Sequence, residues 1–385
     1  MVSKLGRGIL TGFGCTALVF FWQFLTVHYN YQGRWNALFC TGQENAQPPQ
    51  LAGENIYIFP ATKGYDGQMY HYVAHDPFMA RGFDGYVDAP RVRYRRILIP
   101  LAAHALALGQ DDRIDRAFLG VTLFAVFCGG YWLSVFCATA GFSEWLGFAF
   151  LLIPATLVSI DRLTVDAALA ALCIAFAYYI AKDSEWRLYG VLLVAPLVRE
   201  TGLLLLAGYV IALLWKRRLR AALIFSTAAL PTLIWYAYVQ LQTAPEDITG
   251  FSRIPFQGLA ARLATPYHYP FGALVSGVST LLDYAALIGI ILAVALAIRM
   301  GWHKLWGPVE CSIYVFTLFA AFLFSPGAWE EVYAFGRTLS PLLILVGLYG
   351  MQKRNWISVL PLLLVIPRTA IQFGPQVSGV LRGVL

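Results

Sequence analysis

LYGVLLVAPLVRETGLLLLAGYVIALLW (residues 188–215) contains two apolar runs that meet at the charged tetrapeptide RETG (199–202). A single helix would place Lys182 and Arg187 on one side of a membrane and the basic cluster at 215–220 on the other, which the positive-inside rule disfavours. A hairpin that turns at RETG keeps both basic groups on one side, and its glycine is a normal helix breaker. We therefore predict two short helices whose tip stops within the protein near the outer leaflet.

The whole chain has the composition of a helical membrane protein. Of its 385 residues, 59% are hydrophobic and 13% are charged, whereas a soluble domain is about half apolar and about a quarter charged. A membrane-crossing helix needs about 20 apolar residues, and such stretches recur along the chain. The formal net charge of +7 lies in short basic clusters between these stretches, so it indicates membrane topology and no nucleic-acid partner.

These stretches predict an all-α polytopic membrane protein with about eleven transmembrane helices, forming a single membrane domain over residues 1–385. The predicted spans are 8–28, 117–138, 143–160, 164–181, 187–199, 202–215, 221–241, 272–299, 308–325, 337–351 and 355–372. The N-terminus is then cytoplasmic, as the basic clusters require. Five polar segments meet on the outer face: the first loop, 159–166, RETG, 242–270 and 325–337.

The first outer loop, residues 29–116, is the longest. We predict two amphipathic helices in it, near 67–76 and 94–108. Neither is long enough to cross a bilayer, so both suit helices that lie along the outer membrane surface.

Asp66 lies in the first of these helices, in GYDGQMYHYVAHDPF (64–78). One interpretation is an N-cap that accepts hydrogen bonds from backbone N–H groups, and the other is a general base; the two are compatible. His71 and His75 are four residues apart and can in principle hold a metal. Without a further ligand the ordinary interpretation is surface histidines, and no metal site is predicted.

RVRYRR (91–96) offers four arginines. They form either a basic rim that faces lipid headgroups or a grip for a phosphate group. One helical face cannot present all of them, so we expect one or two at most to reach a site. Arg93 and Arg96 are the candidates, and Arg95 is expected to point outward.

Charged residues at the other outer boundaries are further candidates. Arg199 and Glu200 lie between apolar arms, where charges are expensive and are usually functional or paired with each other. Supporting candidates, each with an ordinary interpretation as a cap, an ion pair or a rigid aromatic loop, are Asp161, Arg162, Glu330, Arg337 and His268. No phosphate-binding glycine loop and no GxSxG elbow is present in the sequence. We infer that any activated substrate is carried by a lipid.

The organisation of the chain resembles the GT-C superfamily of integral-membrane glycosyltransferases. GYDGQMYHYVAHDPF, RYRRILIPLAAHAL and LVRETGLL resemble segments of a bacterial group that is distantly similar to the GPI mannosyltransferases. Those enzymes carry a tryptophan–Asp–Gly element in the first outer loop. Here Tyr65 stands in place of the tryptophan, and Asp66 and Gly67 match.

The resemblance implies an inverting transfer of a hexosyl or pentosyl unit from a polyprenyl-phosphate donor to a hydroxyl group of a glycan, lipid or protein. The reaction would take place on the outer face of a bacterial cytoplasmic membrane and would require no metal or other cofactor. Asp66 corresponds to the base, and Arg96, Arg93 and Arg199 would bind the leaving phosphate. The remaining implied roles are orientation of Arg199 by Glu200 and a second acid at Asp84 or Asp88.

Two other classes of protein stay open. A transporter or lipid flippase would explain the broken helix at 199–202, although no internal repeat is visible. A non-catalytic subunit of an envelope polysaccharide complex would also have this membrane topology, and it would tolerate the loss of Asp66.

Overall fold

The computed structural model describes residues 4–245, 250–269 and 272–385. In these ranges the regular secondary structure is helical apart from one pair of short parallel strands, β1 (Thr41–Gly42) and β2 (Ile58–Phe59). The α-helices are α1 (Lys4–Asn30), α2 (Asp66–His75), α3 (Pro90–Arg95), α4 (Leu98–Leu106), α5 (Asp111–Thr139), α6 (Pro154–Arg162), α7 (Asp166–Ala181), α8 (Glu185–Val198), α9 (Gly202–Trp215), α10 (Leu219–Ser226), α11 (Leu230–Gln242), α12 (Gln257–Ala264), α13 (Ala273–Trp302), α14 (Pro308–Phe322), α15 (Pro326–Trp329), α16 (Val332–Thr338), α17 (Ser340–Lys353), α18 (Leu360–Ile371) and α19 (Gly374–Val384). Short 3-10 helices lie at Trp35–Phe39, Pro49–Leu51, Phe83–Tyr86, Glu144–Leu152, Thr227–Ala229 and Trp356–Ser358. The prediction of an all-α protein is confirmed.

Several of these helices are suited to a membrane. Those long and apolar enough to cross one are Leu5–Asn30, Asp111–Thr139, Leu219–Gln242 and Ala273–Trp302. Three bent pairs each pass the same test when taken together: Glu144–Leu152 with Pro154–Arg162, Val332–Thr338 with Ser340–Lys353, and Trp356–Ile371 with Gly374–Val384. By length and composition, the described residues therefore contain four to seven candidate membrane spans.

The predicted hairpin is present. Helix α8 ends at Val198, Arg199 is extended, and α9 begins at Gly202. The two arms approach so closely that a Cβ atom on Gly202 would lie 2.3 Å from the carbonyl carbon of Ala195. The glycine is therefore needed for this contact as well as for the turn, and the break at RETG is confirmed.

The prediction that the helix near 67–76 lies on the membrane surface is wrong. Every residue of α2 from Gly67 to His75 is buried, because α2 packs against α4 and α5 and is covered by the rest of the first loop. A Cβ atom on Gly67 would lie 2.0 Å from the carbonyl oxygen of Arg162. The start of α2 is thereby held against the end of α6, deep in the protein.

The helix predicted near 94–108 is in fact two helices, α3 and α4, which are separated at Arg96 and Ile97. Pro100 accounts for the break. It has no N–H to donate to the carbonyl group of Arg96, and its ring would clash with that carbonyl in a continuous helix. The chain turns at this point, and the Arg96 side chain is buried.

Helix α7 places an acid at the centre of the helical body. Almost all of its residues are buried, since it packs against α5, α8 and α17. Asp166 is its first residue and is 3% exposed. A buried carboxylate needs a charged or hydrogen-bonding partner, so this position requires cations from neighbouring elements.

Candidate functional site

Two arginines from distant parts of the chain hold the carboxylate of Asp66. Its Oδ1 lies 2.9 Å from Nη2 of Arg93, and its Oδ2 accepts a 2.5 Å hydrogen bond from Nη2 of Arg337. Tyr65 occupies the cap position of α2, and Asp66 is the first helical residue. The N-cap interpretation of Asp66 is therefore wrong, because guanidinium groups compete successfully with backbone N–H groups for a carboxylate.

Arg93 joins Asp66 to one of the two acids that were candidates for a second catalytic acid. Its Nε and Nη2 bind the two carboxylate oxygens of Asp88, each at 2.8 Å. Asp84 lies on the 3-10 helix Phe83–Tyr86, and in the described part of the chain no contact joins it to Asp66 or Arg93. The structure therefore favours Asp88 over Asp84 as the neighbour of Asp66.

Glu200 is paired differently from the prediction. Both of its oxygens are bound by Arg96, with Nε–Oε2 at 2.7 Å and Nη2–Oε1 at 2.5 Å, whereas Nε of Arg199 is 4.0 Å away. Arg96 also donates to the hydroxyl of Tyr70 at 2.8 Å. Arg96 is therefore the hydrogen-bonding partner of Glu200, which keeps only a longer ion-pair contact with Arg199.

Asp166 is the partner that sequence reasoning did not assign to Arg199. Nη1 of Arg199 pairs with Oδ1 of Asp166, and Nη2 donates to the hydroxyl of Thr338 at 3.3 Å. Nη1 of Arg337 lies 3.5 Å from the other oxygen of Asp166. An acid at the start of an otherwise apolar segment is the signal that could have identified this residue.

These contacts form one arginine–carboxylate network in which four guanidinium groups balance four carboxylates. Its members are Arg93, Arg96, Arg199, Arg337, Asp66, Asp88, Asp166 and Glu200. The Arg96–Glu200 pair is joined to the other six through the 4.0 Å contact between Glu200 and Arg199. All three arginines predicted to bind phosphate belong to it. Arg95 is outside it and lies over the ring of Tyr236, 5.0 Å from the ring centroid. Of the four arginines of RVRYRR, Arg93 and Arg96 therefore belong to the network.

The network has hydrogen-bonding capacity to spare. Among the described residues, Nε and Nη1 of Arg337 and Nε of Arg199 are buried and make no hydrogen bond, although Nη1 of Arg337 keeps the 3.5 Å ion-pair contact with Asp166 and Nε of Arg199 the 4.0 Å contact with Glu200. Buried donors are almost always satisfied, and each one that is not costs about 1–3 kcal/mol. The unused donors around Asp66 are therefore a place where an anionic group would be stabilised.

The charge state of Asp66 follows from the same contacts. Burial tends to raise the pKa of Asp66, but Arg337 and Arg93 outweigh it and hold the pKa well below the ordinary value of 3.8. The carboxylate is thus ionised at neutral pH, and it is a weak base while both arginines bind it. An anion that shared these arginines would weaken their hold and raise the pKa.

A cavity of about 520 Å³ lies beside the network, at Tyr65. The Tyr65 ring has Arg337 at 4.9 Å and Arg162 at 6.0 Å from its centroid. Arg162 lines the cavity and is held by Asp161, with Nε–Oδ2 at 2.9 Å. Tyr65 lines the cavity, and Asp66, the next residue, does not.

An apolar groove of about 350 Å³ lies on the other side of the segment that bounds this cavity. Ala370, Phe373 and Val377 line the groove, whereas Gln372 and Gln376 line the cavity. The other groove residues come from α1 and the α6 region: Leu18, Val19, Trp22, Leu151, Leu152, Leu157 and Ile160. One short stretch of chain thus faces a polar space on one side and an apolar space on the other.

Two predicted supporting residues lie elsewhere. Glu330 and His268 line a separate cavity of about 410 Å³ together with Arg262 and Trp329. Among the described residues, no ion pair or hydrogen bond joins either of them to the network. The loop 242–270 that carries His268 is described apart from residues 246–249 and 270.

A second buried charge cluster was not identified from the sequence. Asp283 of α13 accepts hydrogen bonds from Arg262 and Tyr269, both at 2.7 Å, and from Arg368 at 2.9 Å. A single acid within a long apolar helix is the signal that could have identified it. Both of its carboxylate oxygens accept hydrogen bonds from these donors, which is typical of a structural ion pair.

The histidines of α2 are not surface residues. His71 and His75 are fully buried, and burial lowers the pKa of His75 to about 4. Carboxylates of Glu54, Asp111 and Asp115 lie next to them. The ordinary interpretation of these residues as surface histidines is therefore wrong.

Comparison of the chain with known protein families, with curated proteins and with solved structures finds no match. The function is accordingly inferred from the residues and geometry of the site itself.

Proposed function

We propose that this protein is an inverting glycosyltransferase that moves a sugar from a polyprenyl-phosphate donor to an acceptor hydroxyl on the outer face of a membrane. One observation carries the proposal: the carboxylate of Asp66, whose side chain is 16% exposed, is bound by Arg93 and Arg337, and two nitrogens of Arg337 have no hydrogen-bond partner among the described residues. A base next to a phosphate-binding group is the minimum that such a transfer requires.

The arginines supply the electrostatic part of the reaction. The bond between the anomeric carbon and the phosphate oxygen breaks as negative charge grows on the leaving phosphate. Arg337 and Arg199 have N–H groups without a hydrogen-bond partner among the described residues that would bind this charge, and Arg93 and Arg96 would contribute if the phosphate displaced their carboxylate partners. Arginine suits the task because its planar fork matches two phosphate oxygens and stays protonated.

Asp66 supplies the proton acceptor. The acceptor oxygen attacks the anomeric carbon from the face opposite the phosphate and forms the new glycosidic bond. Its proton passes to the Asp66 carboxylate, and polyprenyl phosphate leaves with the electrons of the broken bond. Configuration at the anomeric carbon inverts in this single displacement.

Donor binding would also prepare the base. In the resting network Arg337 and Arg93 hold the pKa of Asp66 well below 3.8, so the carboxylate is a poor proton acceptor. A donor phosphate that takes up guanidinium donors competes with Asp66 for the same cations and raises its pKa. The carboxylate would then become a stronger base only when the donor is present.

A lipid carrier suits the spaces around the site. The cavity at Tyr65 contains Arg162 and other polar groups that suit a sugar or phosphate, and the apolar groove behind residues 370–377 suits a polyprenyl chain. The Tyr65 ring would have to move for a ligand in the cavity to reach Asp66. We assign to Tyr65 the role of a barrier that the donor displaces.

The proposed architecture is GT-C-like, with eleven membrane spans. Seven of these are the four long helices and the three bent pairs, and the other four coincide with the shorter helices α7, α8, α9 and α14. We place the N-terminus in the cytoplasm and the network at the outer face of a bacterial cytoplasmic membrane, where envelope glycans, lipids and proteins are the available acceptors.

The test is transfer by purified protein in lipid nanodiscs, supplied with a panel of polyprenyl-phosphate sugars and with acceptors of each class. Wild type and Asp66→Asn are compared, with Asp112→Asn as the matched control, since Asp112 is an exposed acid of the neighbouring helix α5. General-base catalysis contributes about 10²–10⁴-fold, so we expect Asp66→Asn to lose transfer by that factor and Asp112→Asn to keep it.

Two outcomes would count against the proposal. Wild-type protein that neither transfers nor hydrolyses any donor, but moves lipid-linked sugars between leaflets in vesicles, would support a flippase. Unchanged transfer by Asp66→Asn would remove Asp66 from the role of base and leave the network as a binding device only.

A further inference from the structure

A group of four metal-ligating side chains lies at the end of α2 opposite Asp66. It consists of His71 and His75 from α2, Glu54 from the first loop and Asp115 from α5. Each contributes one ligand atom, and these four atoms lie within 4.8 Å of one another. Two histidines separated by four residues on one helix present their rings to the same point. The spacing of the two histidines is visible in the sequence, whereas the sequence does not show that Glu54 and Asp115 lie beside them.

The spacing of the ligand atoms suits one small cation. The two histidine Nε2 atoms are 3.1 Å apart, His71 Nε2 lies 2.7 Å from Oδ1 of Asp115, and His75 Nε2 lies 3.8 Å from Oε1 of Glu54. Ligands at about 2.0–2.1 Å from a tetrahedral zinc ion are about 3.3 Å from one another. The observed separations lie on both sides of that value.

Protons alone satisfy this group poorly. Nδ1 of His75 is 2.8 Å from the carboxylate of Asp111, which only accepts, so that nitrogen carries the proton and Nε2 of the neutral ring presents a lone pair. Three acceptors, His75 Nε2, Asp115 Oδ1 and Glu54 Oε1, then surround at most one N–H, on His71. Among the described residues, Oε1 of Glu54 and Nδ1 of His71 are buried without a hydrogen-bond partner.

The surroundings hold the rings in place. Asp111, which receives the His75 Nδ1 proton, is itself bound by Arg81 through two hydrogen bonds of 2.8 and 2.7 Å. A carboxylate behind a histidine is the usual outer partner of a metal ligand, because it sets the tautomer and raises the basicity of the free nitrogen. The His71 ring also stacks on Phe39, with centroids 4.2 Å apart.

We propose that Glu54, His71, His75 and Asp115 bind a divalent transition-metal ion of the zinc type. Imidazole nitrogens favour such ions over magnesium or calcium, and the two carboxylates neutralise the charge of the ion. Because the ligands come from the first loop, α2 and α5, the ion would fasten the loop to the helical body. Its role is structural, because all four coordination positions are taken by the protein.

This site is separate from the proposed transfer site and does not depend on it. His71 is five residues after Asp66 on the same helix, which corresponds to about 7.5 Å along the axis, and His75 is a further turn away. Metal binding can therefore be measured on the intact protein without any glycosyl donor, and its failure would leave the proposed function untouched.

The experiment measures Zn²⁺ bound to purified, chelator-stripped full-length protein by elemental analysis and by calorimetric titration. Wild type is compared with the double variant His71→Asn/His75→Asn and with His303→Asn. The latter is the matched control, because His303 is exposed and is far from the cluster residues in the sequence. We expect one Zn²⁺ per chain in wild type and His303→Asn and none in the double variant. Added Zn²⁺ should raise the Tm of wild type and of His303→Asn, and it should leave the Tm of the double variant unchanged.

Single variants keep the proposal testable if the double variant does not fold. Glu54→Gln and Asp115→Asn alter the partly exposed ligands with little change in volume, and each should weaken Zn²⁺ binding at least tenfold. Wild-type protein that binds no Zn²⁺ and shows no change in Tm, or Zn²⁺ binding that survives Asp115→Asn and Glu54→Gln undiminished, would overturn the proposal. Binding equally reduced in His303→Asn would do the same, because it would place the ion elsewhere.

Discussion

Hydrogen-bond donors are in excess at one end of helix α2, and hydrogen-bond acceptors are in excess at the other. At the Asp66 end, arginines crowd around the carboxylate, and N–H donors of Arg337 and Arg199 are left unused. At the His75 end, carboxylates crowd around two imidazoles, and acceptors outnumber donors. An excess of buried donors attracts an anion, and an excess of buried acceptors attracts a cation.

The difference teaches that burial alone does not define a site. Residues of α2 are buried along nearly its whole length, and both ends carry several ionisable groups. In the cluster at Asp283, which is also buried, both oxygens of the acid accept hydrogen bonds from Arg262, Arg368 and Tyr269, and Nε of Arg262 is the one guanidinium nitrogen there without a hydrogen-bond partner among the described residues. The excess of unpaired donors at one end of α2 and of unpaired acceptors at the other points to a ligand at each end. Substitutions at the two ends test this interpretation separately.

The largest effect is expected at the donor-rich end. Arg337→Ala removes the hydrogen bond to Asp66 and two unused donors, and loss of one such electrostatic group lowers turnover by about 10²–10³-fold. Arg337→Lys keeps the charge but loses the fork, so we expect an intermediate loss. Transfer assays on both variants measure the effect. Zn²⁺ content serves as the internal control, and a variant that lost the metal together with transfer would show that the two ends are not independent.

The next effect is expected at the acceptor-rich end. Asp111→Asn removes the outer partner of His75 while leaving every proposed metal ligand in place. Outer-shell changes of this kind reduce metal affinity by about 10–100-fold, and calorimetric titration with Zn²⁺ would measure that loss. Transfer by Asp111→Asn should equal that of wild type. Unaltered Zn²⁺ affinity would indicate that Asp111 binds Arg81 but does not support His75 as a metal ligand.

A smaller effect separates the two acids that were candidates for a second catalytic residue. Asp88→Asn loosens Arg93, which also binds Asp66, so we expect transfer to fall by about tenfold, the equivalent of about 1.4 kcal/mol. Asp84 lies outside the network, and Asp84→Asn should transfer at the wild-type rate. Parallel initial-rate measurements distinguish them, and the reverse order would place Asp84 near the reacting groups in the donor-bound state.

The smallest effect concerns pH. The pKa of Asp66 is held well below 3.8 in the folded protein, so its ion pairs contribute stability that is fully present above about pH 4 and is lost as the pH falls through the folded-state pKa. The difference in Tm between wild type and Asp66→Asn should therefore stay constant from about pH 5 to about pH 8. A difference that changed within that range would mean that Asp66 titrates near neutrality.

Local features of the sequence predicted the fold better than they predicted the site. The hairpin at RETG follows from a glycine and from the distribution of basic residues, both of which act within a few residues of the turn. Pro100 likewise explains why α3 and α4 are two helices, and its effect on the carbonyl of Arg96 was available from the sequence. The apolar stripe continues across the break, and it favoured a single helix over 94–108.

The pairing of charges could not be predicted in the same way. Arg96 and Glu200 are 104 residues apart, and Arg337 and Asp66 are 271 residues apart. Sequence reasoning identified the charged residues but paired Glu200 with its neighbour Arg199, because adjacency is the only distance that a sequence shows. The same limit hid the acids that surround His71 and His75, since Glu54 and Asp115 reach them only after the first loop has folded over α2.

The separation between Arg337 and Asp66 also has a consequence for biosynthesis. The network is complete only when α16, which carries Arg337, has left the ribosome, long after α2. Until then Asp66 lacks one of its two arginines, and closing so long a stretch of chain is slow. A nascent chain arrested before α16 should therefore have a protease-sensitive first loop, and assembly of the centre would come late in membrane insertion.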